Sequence, residues 1–215
     1  NRLGGSMYLS SPTIGDYETY ITRELVDYID ANYRTIKNRV SRGITGCSMG
    51  GDGSIYLALK YPDVFSIAAS VSGTYYFERD STWQRATENF DKLPEDFYEL
   101  HTLGWDVKAV YALAAATASN PDKPPFYLDT PFAIVDGKTQ IVPEVFDKIV
   151  AADPAHEVDR FLAQPERLNA ILILHGEGDN LVPVELARDF NKLLSDRGVE
   201  HEYLEIKGGH CDFLF

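Results

Sequence analysis

Arg42-Gly-Ile-Thr-Gly46-Cys47-Ser48-Met49-Gly50-Gly-Asp-Gly-Ser-Ile55 sets a serine between glycines two residues before and two after it, in the pattern G-x-S-x-G. Where a strand turns sharply into a helix, that pattern forms a nucleophile elbow: the central residue is strained and its hydroxyl stands exposed. The glycines answer a steric need, because side chains at those positions would collide as strand and helix approach. The surroundings agree. Val40 to Thr45 is a β-prone run before the serine, and Ser54, Ile55, Leu57, Ala58 and Leu59 form the packing side of a helix after it, ended by Pro62.

Five residues alone are weak evidence, since about one chain in ten of this length carries the pattern by chance. A serine hydroxyl is a poor nucleophile until a histidine takes its proton, and the histidine needs an acid to orient its ring and stabilise the imidazolium. Elbow enzymes carry the acid and then the histidine after the serine, each in a loop beyond a strand. Ala170-Ile-Leu-Ile-Leu-His175 reads as a buried strand, and Gly176-Glu-Gly-Asp179 places Asp179 just past its end. Glu202-Tyr-Leu-Glu-Ile206 is a second strand, and Lys207-Gly-Gly-His210 places His210 just past that one. Asp153 and Glu177 also stand near element ends, but His-Gly-x-x-Asp after a buried strand favours Asp179. His175 reads as a strand-end histidine satisfied by backbone. His101, His156 and His201 read as surface or supporting residues.

With 215 residues, 44% hydrophobic and 25% charged, the chain can build a sizeable core. A formal charge of −13 argues against nucleic acid and anionic membranes as partners, both of which are bound through lysine and arginine. No apolar run approaches the roughly 18 residues of a membrane span. The first residue is not methionine and no signal segment is evident, which reads as a processed form or a piece of something longer. The cysteines and histidines show no zinc-ligand spacing, and the glycines of 46–53 lack the Lys-Ser or Lys-Thr of a phosphate loop, so no metal or cofactor is implied. Cys47 precedes the candidate nucleophile and Cys211 follows the candidate base. If Ser48 and His210 meet, a disulfide and two separate buried thiols are both open readings, and a bond would suit an oxidising compartment.

Taken in order, Tyr17 to Tyr33 shows helical periodicity, with Tyr17, Tyr20, Ile21, Leu25, Tyr28 and Ile29 recurring at three and four. The elbow strand and helix follow, then a small-residue strand from Phe65 to Gly73. Two consecutive crossover units imply parallel strands covered by helices. Residues 74–169 break that rhythm with aromatic clusters, a helix from Val107 to Ala118, a hairpin around Asp136-Gly137 and a helix from Pro143 to Ala152. They read as an insertion, a cap over the active site, between core segments 1–73 and 170–215. A helix from Val184 to Arg197, stopped by Gly198, joins the last two strands.

Together these motifs resemble the α/β-hydrolase superfamily, and within it the esterase group that includes S-formylglutathione hydrolases, feruloyl esterases and bacterial mycolyltransferases. The resemblance is carried by Tyr17-Glu-Thr-Tyr-Ile, Glu24-Leu-Val-Asp-Tyr-Ile, Gly46-Cys-Ser-Met-Gly-Gly, Ala58-Leu-Lys-Tyr-Pro-Asp-Val-Phe and Val71-Ser-Gly, and later by the Asp179 and His210 motifs. The Cys-Ser, Asp and His-Cys arrangement is also similar to that of fungal tannases and related feruloyl esterases, which implies a Cys47–Cys211 disulfide. The resemblance implies an acyl-enzyme on Ser48, with the Met49 amide as one oxyanion donor. It leans toward carbohydrate-linked or phenolic esters such as feruloyl and acetyl groups, with a thioesterase of the S-formylglutathione type or an acyltransferase as alternatives. A binding module without a complete oxyanion hole is the alternative of another class. Only 47 residues precede Ser48, fewer than the strands and second oxyanion donor of the superfamily require there. The elbow strand is therefore expected to have an open edge, covered by an upstream segment or by a partner, including a second copy of the chain.

Overall fold

The computed structural model describes residues 2–79, 81–88 and 90–212. Its strands are β1 (Ser10–Ser11), β2 (Gly15–Asp16), β3 (Gly43–Cys47), β4 (Ile67–Val71), β5 (Phe132–Val135), β6 (Lys138–Ile141), β7 (Ala170–Gly176) and β8 (Glu202–Ile206). They fall in two compact units. One comprises Glu18–Tyr76 and the residues from Asp153 onward; the other comprises the residues up to Tyr17 and Phe77–Ala152.

The first unit is built on a parallel sheet in the order β3-β4-β7-β8. Strand β7 is internal, and Ile171, Ile173 and His175 on one of its faces are all buried. The Met49–Lys60 helix packs on β3 and β4 although it opens Met-Gly-Gly-Asp-Gly-Ser, a poor helix sequence. Close packing explains the composition, because a Cβ on Gly51 would come 2.7 Å from the Val71 carbonyl oxygen and 2.8 Å from Ser70 Oγ. The Val184–Asp196 helix covers β7 with Val184, Leu186, Ala187, Phe190 and Leu194. Past its end Gly198 takes φ +68°, and the Val199 amide returns to the Leu194 carbonyl at 2.9 Å.

Among the described residues β3 pairs only with β4, leaving its other edge open. Beside that edge runs a groove of about 690 Å³ whose lining includes Ile21, Leu25, Val26, Ile29, Ile36 and Ile44. The segment before it departs from the periodicity of the sequence. Tyr17–Thr19 and Leu25–Asn32 are α-helical, but Tyr20–Glu24 between them is a π-turn.

The second unit pairs β1 with β2 and β5 with β6, both antiparallel. The Asp136-Gly137 turn joins β5 to β6, with both residues at positive φ as a tight hairpin needs. Its core is aromatic. Trp83 meets Phe146 and Phe132 edge-on, while Tyr111 meets Phe126 at 5.4 Å between ring centres. No helix among the described residues is long and apolar enough to cross a membrane.

Candidate active site

The end of β3 makes the turn that the glycines imply. Ser48 follows the strand with φ 58° and ψ −122°, a strained conformation for a residue with a side chain, and Met49 begins the helix. The Ser48 amide donates to the Val71 carbonyl at 2.9 Å, which fixes the turn against the end of β4. A Cβ on Gly46 would fall onto the Gly50 carbonyl, so strand and helix touch here through backbone. The Met49 amide belongs to the first helical turn, whose N–H groups have no acceptor within the helix.

At the end of β7 the chain turns through Gly176 to Asp179. The turn is tied to the next loop by two backbone bonds: Glu177 N to Ile206 O and Gly178 N to Gly208 O, each 2.9 Å. A Cβ on Gly176 would meet the carbonyl oxygens of Gly208 and Gly209 at 2.6 and 2.5 Å, so the acid loop and the histidine loop approach as closely as backbones allow. Across that contact His210 Nδ1 lies 2.8 Å from Asp179 Oδ2. Asp179 Oδ1 accepts from the amides of Val182 at 2.9 Å and Leu181 at 3.0 Å. Burial pushes the Asp179 carboxyl up, but the Val182 amide, His210 and the Leu181 amide outweigh it and hold the group below its ordinary value. A carboxylate on Nδ1 leaves Nε2 as the free acceptor, the tautomer a general base requires.

The structure joins Cys47 to Cys211, with Cα atoms 6.2 Å apart and a sequence separation of 164. The residue before Ser48 is thereby fastened to the residue after His210, although among the described residues the Ser48 hydroxyl makes no hydrogen bond to the ring. The Cys211 amide also donates to Ser72 Oγ at 3.4 Å. Ligand-type atoms of Cys47, His210 and Cys211 lie within 4.8 Å of one another, but sulfurs bonded to each other offer no thiolate to a metal.

The competing acids are placed elsewhere: Glu177 is exposed, and Asp153 is buried before the Pro154–His156 turn. His101 bonds the Arg2 carbonyl at 3.1 Å, His201 bonds the Val199 carbonyl and Asn191, and His156 is exposed. His175 bonds the Val182 carbonyl through Nε2 at 2.9 Å. Its Nε2 also lies 3.4 Å from Asp179 Oδ2, a proximity that sequence reasoning missed and for which only the four-residue spacing gives a signal.

A family profile described as "Putative esterase" matches residues 10–212, nearly the whole chain. The chain belongs to this esterase family. Among curated members, Esterase Rv1288 of Mycobacterium tuberculosis is 28% identical over 199 residues, covering 91% of this chain but 36% of that protein. This esterase-family chain therefore spans about a third of the length of that relative. Among solved structures, the fluorophosphonate-binding serine hydrolase F of Staphylococcus aureus superposes with a TM-score of 0.59 at 22% identity, over 95% of this chain and 61% of that one. The S-formylglutathione hydrolase of Staphylococcus aureus gives 0.58 at 21%, with the same coverage. These similarities place the esterase-family chain in the α/β-hydrolase fold.

Proposed function

We propose that this chain carries the serine esterase centre of a carboxylic-ester hydrolase, with Ser48 as nucleophile, His210 as general base and then acid, and Asp179 as the orienting acid. The observation that carries the reading is the Asp179–His210 contact, in a chain whose nucleophile elbow is fastened to the histidine loop by Cys47–Cys211. On this reading His210 Nε2 takes the Ser48 proton as Oγ attacks the ester carbonyl. The oxyanion forms beside the Met49 amide at the amino end of its helix, where the helix dipole favours negative charge. His210 then protonates the leaving alcohol, and water attacks the acyl-enzyme by the reverse proton path.

Carbohydrate-linked or phenolic esters, feruloyl and acetyl among them, are the substrate class proposed. Hydrolysis of feruloyl, acetyl and S-acyl glutathione substrates by the chain and its Ser48→Ala form tests the assignment. Ser48-dependent turnover of the oxygen esters supports it, and turnover confined to the thioester would replace it with a thioesterase.

A further inference from the structure

Asp179 has two histidines at its carboxylate. His210 approaches Oδ2 at 2.8 Å, and Nε2 of His175 approaches the same oxygen at 3.4 Å. His175 is wholly buried at the end of β7, on the strand face that also carries Ile171 and Ile173. Because the Val182 carbonyl can only accept, its 2.9 Å contact assigns the ring proton to Nε2. Nδ1 is then a buried lone pair, without a partner among the described residues. An apolar side chain would fill this face with no such orphan, so packing alone does not account for the histidine.

The other nitrogen does. Val182 donates its amide to Asp179 Oδ1 and accepts His175 Nε2–H at its carbonyl, so one residue links the acid to His175. The two oxygens of Asp179 are thus divided, Oδ1 facing the Leu181 and Val182 amides and Oδ2 facing the two imidazoles.

We propose that His175 is a positioning residue for the catalytic acid: its Nε2–H holds the 179–182 turn and presents Oδ2 of Asp179 to His210. The inference rests on the assignment of Asp179 and His210 above.

Three substitutions test it. In His175→Gln the amide nitrogen reaches about as far as Nε2, in His175→Asn it stops near the level of Nδ1, and His175→Leu has no donor. Two readouts are taken, along with melting temperatures. The His210 Nδ1 proton, seen in spectra of ring-labelled protein, reports its bond to Asp179 without any substrate, and kcat and KM are measured on nitrophenyl acetate. The glutamine form is expected to keep the downfield proton and a kcat within roughly threefold of wild type. The asparagine and leucine forms should move the proton upfield and lose roughly ten- to a hundredfold in kcat at nearly unchanged KM. If the leucine form does not fold, the contrast between glutamine and asparagine decides. Equal behaviour of those two, or a lowered melting temperature with an unmoved proton and unchanged kcat, would overturn the proposal. Absence of Ser48-dependent turnover in the wild type would count against the esterase assignment alone, since the proton still reads the role of His175.

Discussion

His210 Nδ1 lies 2.8 Å from Asp179 Oδ2, and the two loops that carry them leave adjacent parallel strands, β7 and β8, at the same end of the sheet. The pairing follows from topology: neighbouring strands deliver their loops side by side, and the small residues at 176, 178, 208 and 209 let the backbones touch. Asp179→Asn should cut kcat by about a thousandfold to ten-thousandfold, because an amide that donates to Nδ1 reverses the tautomer. Steady-state hydrolysis of a nitrophenyl ester checks this; a loss under tenfold would mean that another group orients His210.

The same carboxylate gives a pH signature in stability. Its folded pKa is depressed, against burial, by the Val182 amide, His210 and the Leu181 amide. The stabilisation is therefore fully present above the unfolded value of about 3.9 and is lost as pH falls through the folded value. Asp179→Asn should melt below wild type at neutral pH, and the gap should close as pH drops below about 4. Thermal denaturation from pH 3 to 7 reads it, and a gap that widens in acid would reverse the assignment.

Gly176→Ala drives a Cβ onto the Gly208 and Gly209 carbonyls. Overpacking of this kind costs about 1–3 kcal/mol, and the strain falls on the two loops that hold Asp179 and His210. The expected result is a moderate fall in melting temperature with a disproportionate fall in turnover. Equal turnover in a destabilised protein would show that the loops tolerate separation.

The Cys47–Cys211 bond closes a loop across most of the chain. Reduction, or the Cys47→Ser, Cys211→Ser pair, should cost about 2–5 kcal/mol, the usual range for loss of a native disulfide. Denaturant unfolding with and without a phosphine reductant measures it, and coincident curves would contradict a bonded native state. Turnover should fall as well, because the bond fastens the histidine loop beside the elbow.

Where a sequence signal is local, the residues told most of the story. Strand β7 was legible from an unbroken aliphatic run, β8 from the short Glu202-Tyr-Leu-Glu-Ile206 stretch before the glycines, and the Val184–Asp196 helix from its apolar stripe and Gly198. Competition between local signals moved other boundaries. The β-prone run from Val40 points to a strand there, yet Arg39–Ser41 forms a 3-10 turn in which Asn38 Oδ1 caps the Ser41 amide at 3.1 Å, and β3 begins at Gly43. The π-turn at Tyr20–Glu24 adds a residue to one turn, which counting at three and four does not detect. Short helices such as Thr82–Glu88 and Phe97–Thr102 carry too few turns to show a period. Long-range contacts were the least legible. Ser11 Oγ bonds the Ala115 carbonyl at 2.6 Å, part of what groups the first residues with 77–152, and no motif announces it. In the site, order along the chain named the three candidate side chains, while the second histidine at Asp179 emerged only from geometry.

The most direct test of the assigned centre is the reaction of this chain with a fluorophosphonate probe, followed by mapping of the modified residue, alongside Ser48→Ala and His210→Ala. The account predicts a single adduct on Ser48, absent from Ser48→Ala and slowed at least a hundredfold in His210→Ala, in keeping with the size of general-base catalysis. An adduct on another residue, or labelling of Ser48 at an equal rate without His210, would contradict it.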